Sequence, residues 1–257
     1  MIIRSRANAQ VKRWAKLARD SRLRRAERRL VIEGPHLLAA ALDAGIAPLA
    51  LIATEAALAD AEIAKFVPRV RVPPTVLSGD AFDAIADVRT PQGIAAEIPL
   101  PKARRAGATV FLEAVQDAGN VGTLIRIAAA FGAGEVVLDR QCADPWSQKV
   151  LRAGQGGHFV LGVHLVDDLP AAISAFGGRV LCTVARGGRP LREVALTGQL
   201  GWAFGAEGAG LSAAVLARAA ERVTIPMAPG AESLNVAASA AICLYEAFCR
   251  QPGFSGS

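Results

Sequence analysis

From Val110 to Phe248 short runs of β-branched and apolar residues alternate with Ala- and Leu-rich segments of helical character. The spacing predicts strands at Val110–Val115, Glu135–Asp139, Phe159–Val166, Arg179–Ala185, Gly201–Phe204 and Arg222–Ile225. Between and after them it predicts helices at Val121–Phe131, Ser147–Ala153, Pro170–Phe176, Ala213–Ala219 and Val236–Phe248. Strands joined through helices by short connections run parallel, so this part of the chain reads as an α/β domain with a doubly wound parallel sheet. Ligands of such sheets lie at the carboxyl ends of the strands.

The first hundred residues carry a shorter version of the same alternation. Asn8 to Arg29 lacks Gly and Pro and reads as one basic helix, followed by a strand at Leu30–Glu33 and a helix opening at Pro35, a residue suited to the first helical turn. Strands at Leu49–Thr54, Arg69–Val72 and Gly93–Ile98 with helices at Glu55–Phe66 and Gly79–Ala86 complete a smaller α/β module. The segment Pro99–Gly107, PLPKARRAG, has the Pro, Gly and charge of a linker. Two domains are therefore expected, residues 1–100 and 107–257.

Charge separates the two. The whole chain carries +6, yet residues 1–35 hold eleven Arg and Lys against three acids, and the remainder is slightly acidic. A basic cluster of this kind suits a polyphosphate backbone, because each neutralised phosphate releases counterions. Arg13, Lys16, Arg22, Arg24, Arg25 and Arg28 are the candidate RNA contacts, and a merely solvated helix face is the alternative. Cys142, Cys182, Cys243 and Cys249 form no CxxC pair, and His36, His158 and His164 show no metal-ligand spacing. Buried thiols and no metal are expected. Without an apolar leader or a spanning apolar run, the chain reads as a soluble, cytoplasmic protein with no membrane partner.

Three clusters follow strands and lead into helices: QDAGNVGTLIR after Val115, FGAEGAGLS from Phe204, and IPMAPGAESLN after Thr224. Glycine lets backbone approach a ligand, and exposed helix amides favour anions. Ordinary strand-to-helix turns use the same residues. The familiar single motifs fail: GAEGAG is not G-x-G-x-x-G, and neither G-x-x-x-x-G-K-[ST] nor G-x-S-x-G occurs.

Taken together, the clusters resemble the motifs of the SpoU/TrmH branch of the SPOUT RNA methyltransferases. NVGTLIRIAAAFG from Asn120 is similar to that family's N-x-G-x-x-x-R-x-A-x-x-F-G, and GAEGAGLS from Gly205 to its G-x-E-x-x-G-L-S. IPM from Ile225, SLNV from Ser233 and AAICLYE from Ala240 are similar to its last motif. Residues 4–98 resemble the substrate-binding domain that precedes the catalytic domain in ribosomal RNA members, notably VKRWAKLARDSRLRRAERRLVIEGPHLLAAAL and TPQG at Thr90–Gly93. The family's D-P-x-N is Asp117, Ala118, Gly119, Asn120 here; the lost proline frees backbone but removes no chemical group.

The resemblance implies a C-terminal domain tied in a trefoil knot, a homodimer, and transfer of a methyl group from S-adenosylmethionine to a ribose 2'-hydroxyl, with ribosomal RNA as the expected substrate. Transfer RNA as substrate, or an inactive RNA-binding protein of the same fold, are the alternatives. It further implies Asn120, Arg126, Glu207, Ser233 and Asn235 as catalytic residues and Cys182, Thr183, Gly205, Ile225, Met227 and Leu234 as cofactor contacts. Arg126 is expected to hold a phosphate and stabilise the developing alkoxide, since a guanidinium stays protonated. The competing roles are a surface ion pair for Arg126, helix capping for Ser233 and, less well, Asn235, and core packing for Ile225 and Met227. The last helix, interrupted only by Ser239, Tyr245 and Glu246, is too apolar for one packed face and predicts burial by the knot, a partner subunit or both.

Overall fold

The computed structural model describes residues 2–102 and 106–250, so residues 103–105 of the expected linker lie outside the described residues. The elements begin with β1 (Ile2–Ile3), α1 (Ala9–Arg19), α2 (Ser21–Glu27), β2 (Arg29–Glu33), α3 (Pro35–Asp43) and β3 (Ala50–Thr54). They continue with α4 (Glu55–Ala59), α5 (Ala61–Ala64), β4 (Pro74–Leu77), α6 (Gly79–Asp83) and β5 (Ile94–Pro99). Next come β6 (Thr109–Glu113), α7 (Ala118–Ala130), β7 (Glu135–Asp139), α8 (Gln148–Gly154), β8 (Gly162–Val166) and α9 (Leu169–Ser174). The chain ends with β9 (Arg179–Thr183), β10 (Arg189–Pro190), β11 (Leu200–Gly205), α10 (Ala213–Leu216), β12 (Glu221–Thr224) and α11 (Val236–Cys249).

These elements form two compact units, one made of Met1–Lys102 with Trp146–Phe159, the other of the remainder. In the first, a five-stranded sheet runs β1-β4-β3-β5-β2; β5 is antiparallel to both β3 and β2, and the other pairs are parallel. Val11, Trp14 and Leu17 of α1, three residues apart along one helix face, pack with Val31, Ile52, Leu77 and Phe82 in its core. The excursion Trp146–Phe159 departs from a boundary drawn at residues 100–107. It is held to the first unit by Gln148, whose amide donates to the Val31 carbonyl of edge strand β2 at 2.7 Å. Gly156 permits a close approach to α3, since a Cβ there would lie 2.6 Å from the Ala40 methyl.

The second unit is a seven-stranded sheet, every pair parallel, in the order β10-β12-β9-β11-β6-β7-β8. The chain winds outward from β6 through β7 to β8, then crosses to the other side of β6 for β9, β11 and β12. The direction of winding reverses between β6 and β11, the topological switch point where such sheets open a crevice at the strand carboxyl ends. Phe111, Val180, Cys182 and Ala203 face Leu169, Ile173 and Val215 in the core on one side.

Several boundaries differ from expectation, each for a local reason. The basic helix is broken at Asp20, whose carboxylate caps α2 by accepting from Arg22 N and Leu23 N, and Asp60 divides α4 from α5 in the same way. The strand expected at Arg69–Val72 lies at Pro74–Leu77, where proline occupies the first position, a place strands tolerate. The start of the Phe159–Val166 strand is taken up by a short 3₁₀ turn at Gly157–Phe159, and β8 begins at Gly162. Helix α7 begins at Ala118 rather than Val121, capped by Asp117. Ala118 thus stands at N1, a position that suits the proline of the family pattern equally well. Strands β1 and β10, two residues each, are too short to leave a pattern.

Candidate active site

The three polar clusters meet at the switch point. Asn120 enters from the first turn of α7 behind β6, Glu207 from the loop behind β11, and Asn235 from the start of α11 behind β12. Glu207 Oε1 accepts from Asn120 Nδ2 and from Asn235 Nδ2, each at 2.7 Å, and Asn235 Nδ2 also reaches Asn120 Oδ1 at 3.2 Å. Asn235 Oδ1 meanwhile accepts from Ala237 N and Ala238 N, capping α11. Both ends of that amide are therefore engaged, the nitrogen on Glu207 and Asn120 and the oxygen on the start of α11. The cap falls on Asn235 and not on Ser233. Glu207 keeps its second oxygen, which makes no hydrogen bond among the described residues.

The loop carrying Glu207 is tightly closed: a Cβ at Gly205 would lie 2.3 Å from the Gly210 carbonyl, so glycine is required there. Asp117 accepts from Asn120 N at 2.8 Å and sets the start of α7. An Asp three residues before Asn120 is the sequence signal for that cap. Arg126 is exposed on α7 and pairs with no carboxylate among the described residues. No hydrogen bond among the described residues joins Arg126 or Ser233 to the Asn120–Glu207–Asn235 cluster.

Of the expected cofactor residues, Thr183, Ile225, Met227 and Leu234 line one groove of about 70 Å³ together with Ser233 and Ser239. It lies at the carboxyl ends of β9 and β12, with Val184 and Val223 adding apolar wall. Leu234 is a large apolar side chain left 39% exposed, as the lip of an apolar slot would be. Cys182 and Gly205 do not line it. Cys182 is wholly buried in the sheet core, where burial pushes its thiol up to about 11, so any part it plays there is through backbone. A larger cavity of about 770 Å³ opens at the amino ends of the strands, beside Thr109, Glu135, Leu200 and Arg250, and contains none of the clustered polar residues.

The basic surface of the first unit is smaller than its composition. Lys16, Arg22, Arg25 and Arg28 are exposed. Arg24 is only 3% exposed, and its guanidinium donates to the Leu17 and Ala18 carbonyls at the end of α1, so packing removes it from the candidate RNA contacts. Arg13 is partly exposed but engaged, bidentate on Glu97 at 2.9 and 3.0 Å and paired with Glu27. Burial alone would raise Glu97, but hydrogen bonds from Arg13, Arg29 and Trp14 prevail and hold it at about 2.

Residues 107–245 match the SpoU rRNA Methylase family, and residues 8–96 match the MRM3-like substrate binding domain. The chain belongs to the SpoU rRNA methylase family. A SpoU relative from Bacillus subtilis, 23S rRNA (guanosine(2553)-2'-O)-methyltransferase RlmP, is 37% identical over 250 residues, covering 95% of this chain and 97% of its own. The AdoMet-bound rRNA methyltransferase of Sinorhizobium meliloti superposes with a TM-score of 0.78 at 27% identity, covering 96% of this chain and 97% of its own. The SpoU methyltransferase AviRb of Streptomyces viridochromogenes, solved with AdoMet, shares the fold with a TM-score of 0.84 at 23% identity, over 94% and 97% of the two chains. Among the described residues, the Asn120, Glu207 and Asn235 positions of the SpoU family pattern are joined to one another by side-chain hydrogen bonds.

Proposed function

We propose that this protein is an S-adenosylmethionine-dependent RNA 2'-O-ribose methyltransferase acting on ribosomal RNA. The observation that carries the reading is the Asn120–Glu207–Asn235 cluster, assembled from three separate loops at the switch point. Support for ribosomal RNA comes from a relative of that specificity matched over 95% of the chain, the basic first unit included.

The groove beside Thr183, Ile225, Met227 and Leu234 fits a nucleoside: apolar walls for a base, and hydroxyls and strand-end backbone for a ribose and amino acid. Its volume, about 70 Å³, is below the ~300 Å³ of ordinary small-molecule sites, so it takes one part of a nucleoside and the remainder lies along the open face of the groove. S-adenosylmethionine supplies a methyl group on a sulfonium centre, already activated for departure without a metal.

The residues of the chain then have to present the acceptor. Asn120 and Asn235 fix Glu207 and leave its Oε2 for an RNA hydroxyl or loop amide. Ser233, on the groove wall, donates or accepts at the ribose. Arg126 holds an RNA phosphate and stabilises the 2'-oxygen as its charge develops, and a phosphate oxygen or water takes the proton. Exposed Lys16, Arg22, Arg25 and Arg28 bind the RNA backbone.

We further infer a trefoil knot and a homodimer. The knot is supported by the return of the segment after β12 across β9 and β11 to touch Asn120 in the first turn of α7, behind β6. The dimer is supported by α11, which leaves Ile242 at 41% and Tyr245 at 53% exposed on its outer side. A monomer in sedimentation at micromolar concentration overturns the dimer. No helix among the described residues is long and apolar enough to cross a membrane, and no metal-binding group is found among them; a cytoplasmic location with ribosomal RNA is part of this proposal. The direct test is incubation with tritiated S-adenosylmethionine and ribosomal RNA, with label expected in one ribose-methylated nucleotide. Absence of label from ribose rejects the reading.

A further inference from the structure

The carboxyl end of β6 carries two contacts outside the proposed reaction. Ala114 sits at φ +54°, in the left-handed region that a Cβ disfavours. Its N–H is held between both carboxylate oxygens of Asp139, at 3.1 Å each. Asp139, 7% exposed at the end of β7, also accepts from Gln141 N and Cys142 N at 3.0 Å. The next residue is pinned as well. Val115 N donates to Cys142 Sγ, the Cys142 thiol donates to the Leu112 carbonyl, and Ala143 N donates to the Val115 carbonyl.

On the other side of Ala114, the Glu113 carboxylate accepts from Ser212 N at 2.7 Å and Ser212 Oγ at 2.6 Å. Ser212 closes the loop that begins at Gly205 and carries Glu207. The left-handed turn at Ala114 thus divides two lines of connection. Before it, a side chain reaches the Glu207 loop; after it, backbone runs through the Asp117 cap to Asn120.

We propose that this junction positions the Asn120–Glu207–Asn235 cluster, with Asp139 acting through Ala114 and Glu113 acting through Ser212. Asp139 and Glu113 are positioning residues and touch no reacting atom. Without the carboxylate, Ala114 relaxes toward negative φ, and both lines of connection swing from one pivot. A misplacement near 1 Å at a reacting centre costs about a hundredfold in rate. The proposal rests on the reading of this cluster as a methyl-transfer site, and two readouts separate them.

The experiment compares the full-length protein with Asp139→Asn, Asp139→Asn/Ala114→Gly and Glu113→Gln. Turnover with ribosomal RNA, S-adenosylmethionine binding by calorimetry, thermal melting, and amide hydrogen exchange over residues 114–120 are measured on each. Asp139→Asn is expected to lose about a hundredfold in kcat with cofactor affinity within about twofold, because the groove lies on other strands. Ala114→Gly in the same chain is expected to recover about tenfold, since glycine adopts positive φ unaided and alanine does not. Exchange over 114–120 rises in Asp139→Asn and falls back in the double variant. Full turnover in Asp139→Asn, a loss matched by its unfolded fraction, or a loss that glycine does not recover overturns the proposal. Should the unsubstituted protein methylate no RNA while exchange follows the expected order, the methyl-transfer reading fails and the junction stands. Unchanged exchange rejects the junction whatever the activity.

Discussion

Each unit contains a glutamate gripped by several donors, and the two are opposites. Glu97 of the first unit is 3% exposed and is held by the guanidiniums of Arg13 and Arg29 and the Trp14 indole. Glu207 of the second is exposed and is held by two neutral amides through one oxygen. A buried carboxylate met by charge from the surface side fixes a fold. Charge met by dipoles at a wet surface leaves an oxygen for something else to use.

The largest expected effect comes from breaking the buried case. Glu97→Ala leaves the buried Trp14 indole without an acceptor and strips Arg13 and Arg29 of their shared partner, although both guanidiniums stay partly in water. The loss is expected at about 3 kcal/mol, the low end for breaking a buried pair, or roughly 10 °C in a domain of this size, read by thermal denaturation. A shift under about 2 °C shows that the grip contributes little.

Acid tests the same residue without mutation. Glu97 titrates at about 2 in the folded chain against an ordinary 4.5, so its stabilisation is present above pH 4.5 and is lost as pH falls toward 2. The shift corresponds to about 3 kcal/mol. Denaturant melts between pH 5 and 2 should show that loss, and Glu97→Gln should flatten the slope over the same window.

Glu207 should behave in reverse. Glu207→Ala is expected to change stability by no more than about 0.5 kcal/mol, since water satisfies the amides it abandons. Its kcat should fall about a hundredfold, equivalent to about 2.7 kcal/mol. Methyl transfer and melting on one preparation decide it; a variant that melts early and works normally would make Glu207 another Glu97.

The contrast also shows where sequence is legible. Apolar runs such as Phe111–Leu112 and Val136–Leu138 announce buried parallel strands, because a strand covered on both faces has no polar alternation to confuse it. The helix breaks at Asp20 and Asp60 are harder, because an Asp inside a helical pattern reads equally as surface and as cap. The excursion Trp146–Phe159 leaves no mark, since strand and helix alternate through it without interruption. In the site, motif order points to Asn120, Glu207 and Asn235, but composition does not reveal that Asn235 uses one end of its amide for α11 and the other for Glu207. Asp139 and Glu113 are not legible in the sequence, because the roles proposed for them depend on the φ of Ala114, which an alanine does not disclose.

The smallest effects sharpen the comparison on the basic surface, where arginines divide as the glutamates do. Lys16→Ala and Arg25→Ala remove exposed charge and should each reduce the slope of log affinity against log salt by about 0.7–1, with little change in melting. Arg24→Ala should do the opposite. Its guanidinium is spent on the Leu17 and Ala18 carbonyls. Its loss leaves the salt slope unchanged and costs about 1–2 kcal/mol of stability. RNA binding measured across a salt series separates the two classes, and a reduced slope in Arg24→Ala would mean that this buried arginine still acts at long range on the bound phosphates.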